Sequence, residues 1–297
     1  MSEAQDQYSL FNEAEYEVYL QKFGSYWTED KLKALEKYFG AYMDVMKNQH
    51  WASPFYVDAF SGSGYVELKD GNLVEGSALR SLNFNFAKFF FIDLNKKNIE
   101  TLKEIVTKEY PDKIHQVTFI NDDANDALEQ LVSPKWKSQG WRGIAFLDPF
   151  ATEVKWSSLE KIASSEVLDT WYLFPLMALN RMLTKSGDIS EDWQRKITSL
   201  LGTDEWMEGI YQDSGQMSIF DDDDVILEKQ NIDGLRKYIL SRLRKVFPLV
   251  SDKAVVLRNK KHPPLFLLCF MGSNPSKPAK KAAQQIADHL LLTMGRE

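Results

Sequence analysis

The chain has 297 residues, 36 basic against 43 acidic, a formal net charge of −7 and one cysteine. That length holds one large core with room for an inserted subdomain. A single cysteine excludes a disulfide framework and a cysteine metal site, and the four scattered histidines match no ligand spacing, so no metal is expected. No apolar run reaches membrane length, and residues 1–12 are polar without an apolar signal core. A soluble, cytoplasmic protein with no membrane contact is expected.

The first clear element is a helix opening at Trp27, with Thr28 as N-cap and Glu29 and Asp30 in the first turn. Leu32, Leu35, Phe39, Tyr42 and Met46 form its apolar stripe, which predicts packing on a sheet. A lid over a ligand is the alternative. Next, Phe55-Tyr56-Val57 reads as a buried strand ending in Asp58, followed by Ala59-Phe60-Ser61-Gly62-Ser63-Gly64. Glycines at these positions allow a sharp turn and close approach to a ligand, and open α/β sheets bind ligands at the carboxyl ends of their strands. A nicotinamide fingerprint would carry a third glycine where Glu67 stands. S-adenosylmethionine has no pyrophosphate to hold and carries an ammonium and a sulfonium, which suit Asp58. A strand with a tight turn and no ligand is the plainer reading of this motif alone.

Three further apolar runs end in acids. Phe89 to Ile92 ends at Asp93, placed for ribose hydroxyls. Gln116 to Ile120 leads into Asn121-Asp122-Asp123-Ala124-Asn125, where Asp123 would lie near an adenine amino group. Gly143 to Leu147 leads into Asp148-Pro149-Phe150. Any one of these acids is more simply a helix cap or turn residue; their repetition is the signal. Helices are predicted over Leu94–Tyr110, Asp126–Val132 and Trp156–Ser165, and a fifth strand over Leu168–Phe174. The alternation predicts an α/β, Rossmann-like fold with a mostly parallel seven-stranded sheet.

Past residue 180 the pattern changes. Trp193, Ile197 and Leu200, then Trp206 and Ile210, sit at helical spacing, so residues 180–231 read as a helical insertion. A loop is expected over Asp213–Phe220, and the acidic run Asp221–Asp224 reads as solvated or as capping the helix after it. Lys253–Leu257 and Pro264–Met271 read as an antiparallel C-terminal hairpin, followed by a terminal helix from Pro278. Cys269 falls in that last strand and is expected to be packed there. The expected divisions are an extension (1–24), a cofactor-binding core (25–179), the insertion (180–231) and the rest of the core (232–297).

Charge is uneven. Residues 229–281 carry 13 basic and 2 acidic residues, leaving 23 basic and 41 acidic elsewhere. Arg236, Arg242, Arg244, Lys245, Arg258, Lys260 and Lys261 are therefore candidates for a nucleic-acid or acidic-protein surface. An ordinary solvated helix face explains them equally well.

The ordered motifs resemble the three-Cys-motif partner family, TcmP. They are Trp27-Thr28-Glu29-Asp30-Lys31-Leu32 with Leu35-Glu36-Lys37-Tyr38, Val57 to Gly64, Gly76-Ser77-Ala78, Phe91-Ile92-Asp93, Asp123-Ala124-Asn125 and Leu147-Asp148-Pro149-Phe150. The resemblance implies a class I methyltransferase fold, S-adenosyl-L-methionine as cofactor and a radical-SAM-type partner carrying the three cysteines. Two departures stand out: the family has Gly-Ser-Pro where this chain has Ala78, and Asp-Pro-Phe-Gly where it has Ala151. Asp148-Pro149-Phe150 also resembles the Asp-Pro-Pro-aromatic motif of amino methyltransferases that act on nucleic-acid bases. The catalytic candidates are thus Asp148, Pro149 and Phe150. The cofactor candidates are Asp58, Phe60, Gly62, Gly64, Asp93 and Asp123. Three functions stay open: a methyltransferase, a non-catalytic partner subunit on the same fold, and a nicotinamide enzyme, disfavoured by the missing glycine.

Overall fold

The computed structural model describes residues 25–68, 71–217, 225–258 and 264–294. The acidic run Asp221–Asp224, the 1–24 extension, Lys260 and Lys261 lie outside the described residues.

In chain order the core elements are helix α1 (Ser25–Met46), strand β1 (Ser53–Asp58), the short pair β2 (Tyr65–Glu67) and β3 (Leu73–Glu75), and α2 (Ser77–Leu82). There follow β4 (Lys88–Ile92), α3 (Lys96–Glu109), β5 (Val117–Ile120), α4 (Ala124–Leu131), α5 (Lys135–Ser138), β6 (Trp141–Leu147), α6 (Trp156–Ser164), β7 (Leu168–Phe174) and α7 (Leu176–Met182). Helices α8 (Glu191–Leu201) and α9 (Trp206–Ile210) lead into β8 (Tyr211–Met217), β9 (Val225–Lys229) and α10 (Ile232–Leu243). The chain closes with β10 (Leu249–Val250), β11 (Val255–Arg258), β12 (Pro264–Gly272) and α11 (Lys277–Met294).

The main sheet runs β10-β12-β7-β6-β1-β4-β5, with β11 also on β12. Both β10 and β11 pair the edge of β12 opposite β7, so they form one interrupted strand in a seven-position sheet. β12 runs antiparallel to its neighbours, and the pairs among β1, β4, β5, β6 and β7 are parallel. This is the Rossmann-like class I methyltransferase topology that the sequence predicts. The chain builds β1, β4 and β5 outward on one side, then crosses back to β6 and β7 on the other. The switch point therefore lies between β1 and β6, where open α/β sheets carry their ligand crevice.

Alternating strand residues feed two cores. Tyr56, Phe91, Phe146 and Trp171 face α1, α2, α3 and α11. Phe55, Val57, Leu147 and Tyr172 face α4, α6 and the later helices. On α1 the predicted stripe is buried from Leu32 to Tyr42 and half-buried at Met46, with Phe39 edge-on to Tyr56 at 4.9 Å and Tyr38 edge-on to Trp171 at 5.3 Å. Cys269 is fully buried, as expected of a packing residue.

Two local expectations differ from the structure. The helix is already formed at Ser25, so Thr28 lies inside it, buried, and is not its N-cap. The insertion contains helices α8 and α9, but the segment read as a loop from Asp213 falls within the antiparallel pair β8–β9. Its sequence, Tyr-Gln-Asp-Ser-Gly-Gln-Met, lacks the alternation that marks a half-buried strand.

Candidate active site

The glycine loop leaves β1 at the switch point. Asp58 stands in register with Phe146 of β6, and the Ala59 N–H donates to the Phe146 carbonyl at 3.1 Å. Gly62 has φ +61° and Gly64 φ +102°, in the left-handed region that glycine tolerates. A Cβ on Gly64 would lie 3.0 Å from Leu102 and 3.2 Å from Leu79, so that glycine seals the loop onto α2 and α3. A Cβ on Gly62 would meet nothing within 4 Å, so the loop backbone there faces open space.

Asp93 follows β4 and braces this loop. Its Oδ2 accepts the Gly62 N–H at 2.9 Å, and its Oδ1 accepts the Asn95 N–H at 2.8 Å and the Asn98 amide at 3.2 Å. A carboxylate has about four acceptor positions. Three are used, which leaves capacity for a hydroxyl.

Asp58 corrects the sequence expectation of direct contact with the cofactor's methionyl end. It is fully buried, accepting from Tyr56 OH at 3.0 Å and the Phe60 N–H at 3.3 Å, with Ser77 as a third partner. Burial pushes its carboxyl up to about 6, against the pull of those hydrogen bonds. Asp58 therefore holds the loop from beneath. Gly76 and Ser77 complete the brace. The Gly76 N–H donates to the Gly64 carbonyl at 2.7 Å, and a Cβ on Gly76 would sit 2.9 Å from that oxygen. The glycine of the Gly76-Ser77-Ala78 motif is thus required by close backbone approach.

Asp123 is the N-cap of α4. Its Oδ1 accepts from the Asn125 N–H at 2.9 Å, the Asp126 N–H at 3.4 Å and the Asn125 amide at 3.0 Å. Asn125 is a residue whose role the sequence reading missed. It is buried, donates to the Glu153 carbonyl at 2.9 Å, and accepts from the Lys155 N–H and Ser158 hydroxyl, both at 2.8 Å. It thereby ties the end of β5 to the loop that follows Asp148-Pro149-Phe150.

That loop begins at the end of β6. Pro149 is buried, and the Phe150 N–H donates to Glu153 Oε2 at 3.0 Å. Phe150 is 54% exposed, not packed in the core. Lys31 of α1, 7% exposed, donates to Asp148 Oδ2 and forms an ion pair with it. Lys31 is the second missed residue. It lies in the quoted Trp27–Leu32 motif, but helical periodicity carries no information about a partner in a distant strand.

Among the described basic candidates, Arg242 is buried and the others differ in exposure. Arg242 is 8% exposed, donates to the Leu201 carbonyl at 3.0 Å and the Gly202 carbonyl at 2.9 Å, and stacks 5.2 Å over Trp156. It caps the C-terminus of α8 and leaves the set of candidate surface contacts. Arg236 donates to the Ala254 and Asp252 carbonyls, and Arg244 pairs with Asp252. Lys245 and Arg258 are exposed.

No protein-family model and no curated protein matches the chain. Solved structures resemble it at low identity. A Legionella pneumophila protein of the DUF519 family model shares 11% identity over 89% of this chain and 92% of its own, with a TM-score of 0.49. The plantazolicin methyltransferase BamL, solved with S-adenosylhomocysteine (SAH), shares 12% over 91% and 94%, with a TM-score of 0.39. The N-terminal domain of EvdMO1, solved in the presence of SAH and D-fucose, shares 10% over 80% and 82%, with a TM-score of 0.37. Among the described residues no helix is long and apolar enough to cross a membrane, and no cluster of metal-ligating side chains occurs.

Proposed function

We propose that the chain is an S-adenosyl-L-methionine-dependent methyltransferase acting on an amine of a nucleic-acid base or a related substrate. The observation that carries this reading is the meeting at one switch point of an open glycine loop after β1 and an acid-proline-exposed-aromatic turn after β6. S-adenosylmethionine, when bound, supplies an electrophilic methyl group. The residues present fit it. The open face of Gly62 admits the ligand beside the backbone, with Phe60 and Gly64 shaping the loop. Asp93 has an acceptor position for a ribose hydroxyl. All three capping bonds of Asp123 fall on Oδ1, leaving Oδ2 for an adenine amino group.

Lys31 engages Asp148 Oδ2 and so orients the carboxylate with Oδ1 open to an amine hydrogen. With the Pro149 carbonyl as second acceptor, the nitrogen lone pair would be aimed and the positive charge developing on nitrogen would face a carboxylate. Phe150 offers a stacking face for a flat substrate. Turnover of methyl-labelled S-adenosylmethionine on nucleic acid, with and without purified partner, tests the assignment. A three-Cys-motif partner and a cytoplasmic setting belong to the same proposal.

A second reading has its own observation. Lys31 already neutralises Asp148, which is what a retained fold serving only as a binding subunit for such a partner would also do with an unused acid. Cofactor binding without turnover on any tested acceptor is its signature.

A further inference from the structure

At the opposite end of the sheet, where β6 and β7 begin, lies a cavity of about 690 Å³ between α1 and α11. That size is ordinary for a small-molecule site. Three charged side chains line it; Lys137 is already paired with Glu166, which leaves Asp169 and Arg142 as opposite charges without an ion-pair partner among the described residues. Asp169 enters from β7, its Oδ2 accepting Tyr38 OH at 2.8 Å. Arg142 enters from β6, its guanidinium 4.7 Å over the exposed Trp51 ring and donating to the Trp141 carbonyl. Among the described residues neither forms an ion pair, with the other or elsewhere. Tyr42 lies within electrostatic reach of both. Ser276, just before α11, and Pro278 in its first turn also line the cavity, and the positive end of that helix favours an anion. The rest of the wall is mostly apolar, with Gln49 and Asn274 as polar exceptions.

Chargeable groups that face a cavity without an opposite charge are costly to ionise there, and opposite ones are best satisfied together by a ligand carrying both complements. A purely apolar ligand would desolvate both charges. A simple cation or anion would satisfy one and strand the other. We propose that this cavity is a small-molecule site separate from the cofactor end, taking an amphipathic zwitterion of amino-acid to dipeptide size: its ammonium against Asp169, its carboxylate against Arg142, and its apolar body against Met46, Val167 and Ile286. Burial pushes the Asp169 carboxyl up to about 7, and an ammonium bound beside it would favour its ionised form.

Calorimetric titration of the full chain tests this with four probes: L-phenylalanine, glycyl-L-phenylalanine, phenethylamine and hydrocinnamate. At least one zwitterion should bind, and the amine and the acid, each lacking one charge, should bind at least about tenfold more weakly. Asp169→Asn and the rim variant Arg142→Gln should each weaken the zwitterion by at least about tenfold, whereas Asp148→Asn should leave its affinity unchanged. No binding of either zwitterion at millimolar concentration overturns the proposal. So does equal binding of the single-charge probes, a comparison that needs no variant. Wild-type affinity in Arg142→Gln overturns it as well.

Discussion

Lys31 and Asp148, 117 residues apart, meet as a partly buried ion pair where β6 ends. Two turns further along the same helix face, Tyr38 donates to Asp169 near the start of β7. Two turns of helix advance about 11 Å. Asp169 stands in register with Ile144, and the four residues from there to Asp148 span about 13 Å of strand. One face of α1 thus ties a carboxylate at each end of the same pair of strands.

Breaking the first of these ties should separate its roles. Removing one partner of a buried pair strands the other charge, though Asp148 retains 23% side-chain exposure, so water softens the effect. In a double-mutant cycle with Lys31→Met and Asp148→Asn, chemical denaturation should show coupling of at least about 0.5 kcal/mol. Lys31→Met should also lower turnover with little change in cofactor affinity. Additive stabilities would show that the pair does not couple.

The cofactor end should respond through Asp93 and Gly62. Losing a hydrogen bond to a charged group costs about 1.5–3 kcal/mol, so Asp93→Ala should weaken S-adenosylmethionine roughly 10- to 150-fold in calorimetry. Gly62→Val should do at least as much, because it fills the open side of the loop and strains a positive φ. If both variants keep wild-type affinity, the cofactor lies elsewhere.

Asp169 makes stability depend on pH with a definite sign. Its carboxyl is pushed up to about 7 by burial, from near 4 in an unfolded chain. The folded state then binds more protons than the unfolded one between those values, so stability falls as pH rises from about 4 to 7 and levels off above. Asp58, at about 6, adds the same sign over a narrower window. Asp169→Asn keeps an acceptor for Tyr38 but cannot ionise. Its melting temperature should gain on wild type as pH rises from 5 to 8; a gap independent of pH would contradict the assignment.

Arg242 and its exposed neighbours should part company. Arg242→Gln should destabilise the fold by about 1–3 kcal/mol through the lost α8 cap, without changing the salt dependence of any nucleic-acid binding. Replacing the exposed Lys245 and Arg258 by Gln should leave stability unchanged. If those residues touch phosphates, the double replacement should flatten the slope of log affinity against log salt by about 0.9 per lost contact on duplex DNA. A salt-independent interaction would point to a protein partner instead.

Much of this architecture was legible in the sequence. Parallel strands buried on both faces appear as continuous apolar runs, which is why Leu168–Phe174 is found at its predicted bounds and the acids after β4 and β6 fall at strand ends. What periodicity does not carry is direction and distance. It marks Asp58 as a strand-end acid but not that the carboxylate turns inward onto Tyr56 and Ser77. It counts Arg242 among basic residues but not that its guanidinium covers the end of α8. Lys31 falls on a helix whose apolar stripe marks its buried face but not a charged partner, and that partner follows a strand over a hundred residues away.

The most direct test of the central claim measures cofactor affinity and methyl transfer side by side on wild type and Asp148→Ala. Wild type should transfer labelled methyl to an amine-bearing acceptor. Asp148→Ala should bind S-adenosylmethionine as wild type does yet turn over at least roughly 100-fold more slowly, because it loses orientation and charge stabilisation but no cofactor contact. Normal turnover in Asp148→Ala, or cofactor binding by wild type with no transfer to nucleic acid, protein or its purified partner, would contradict the account.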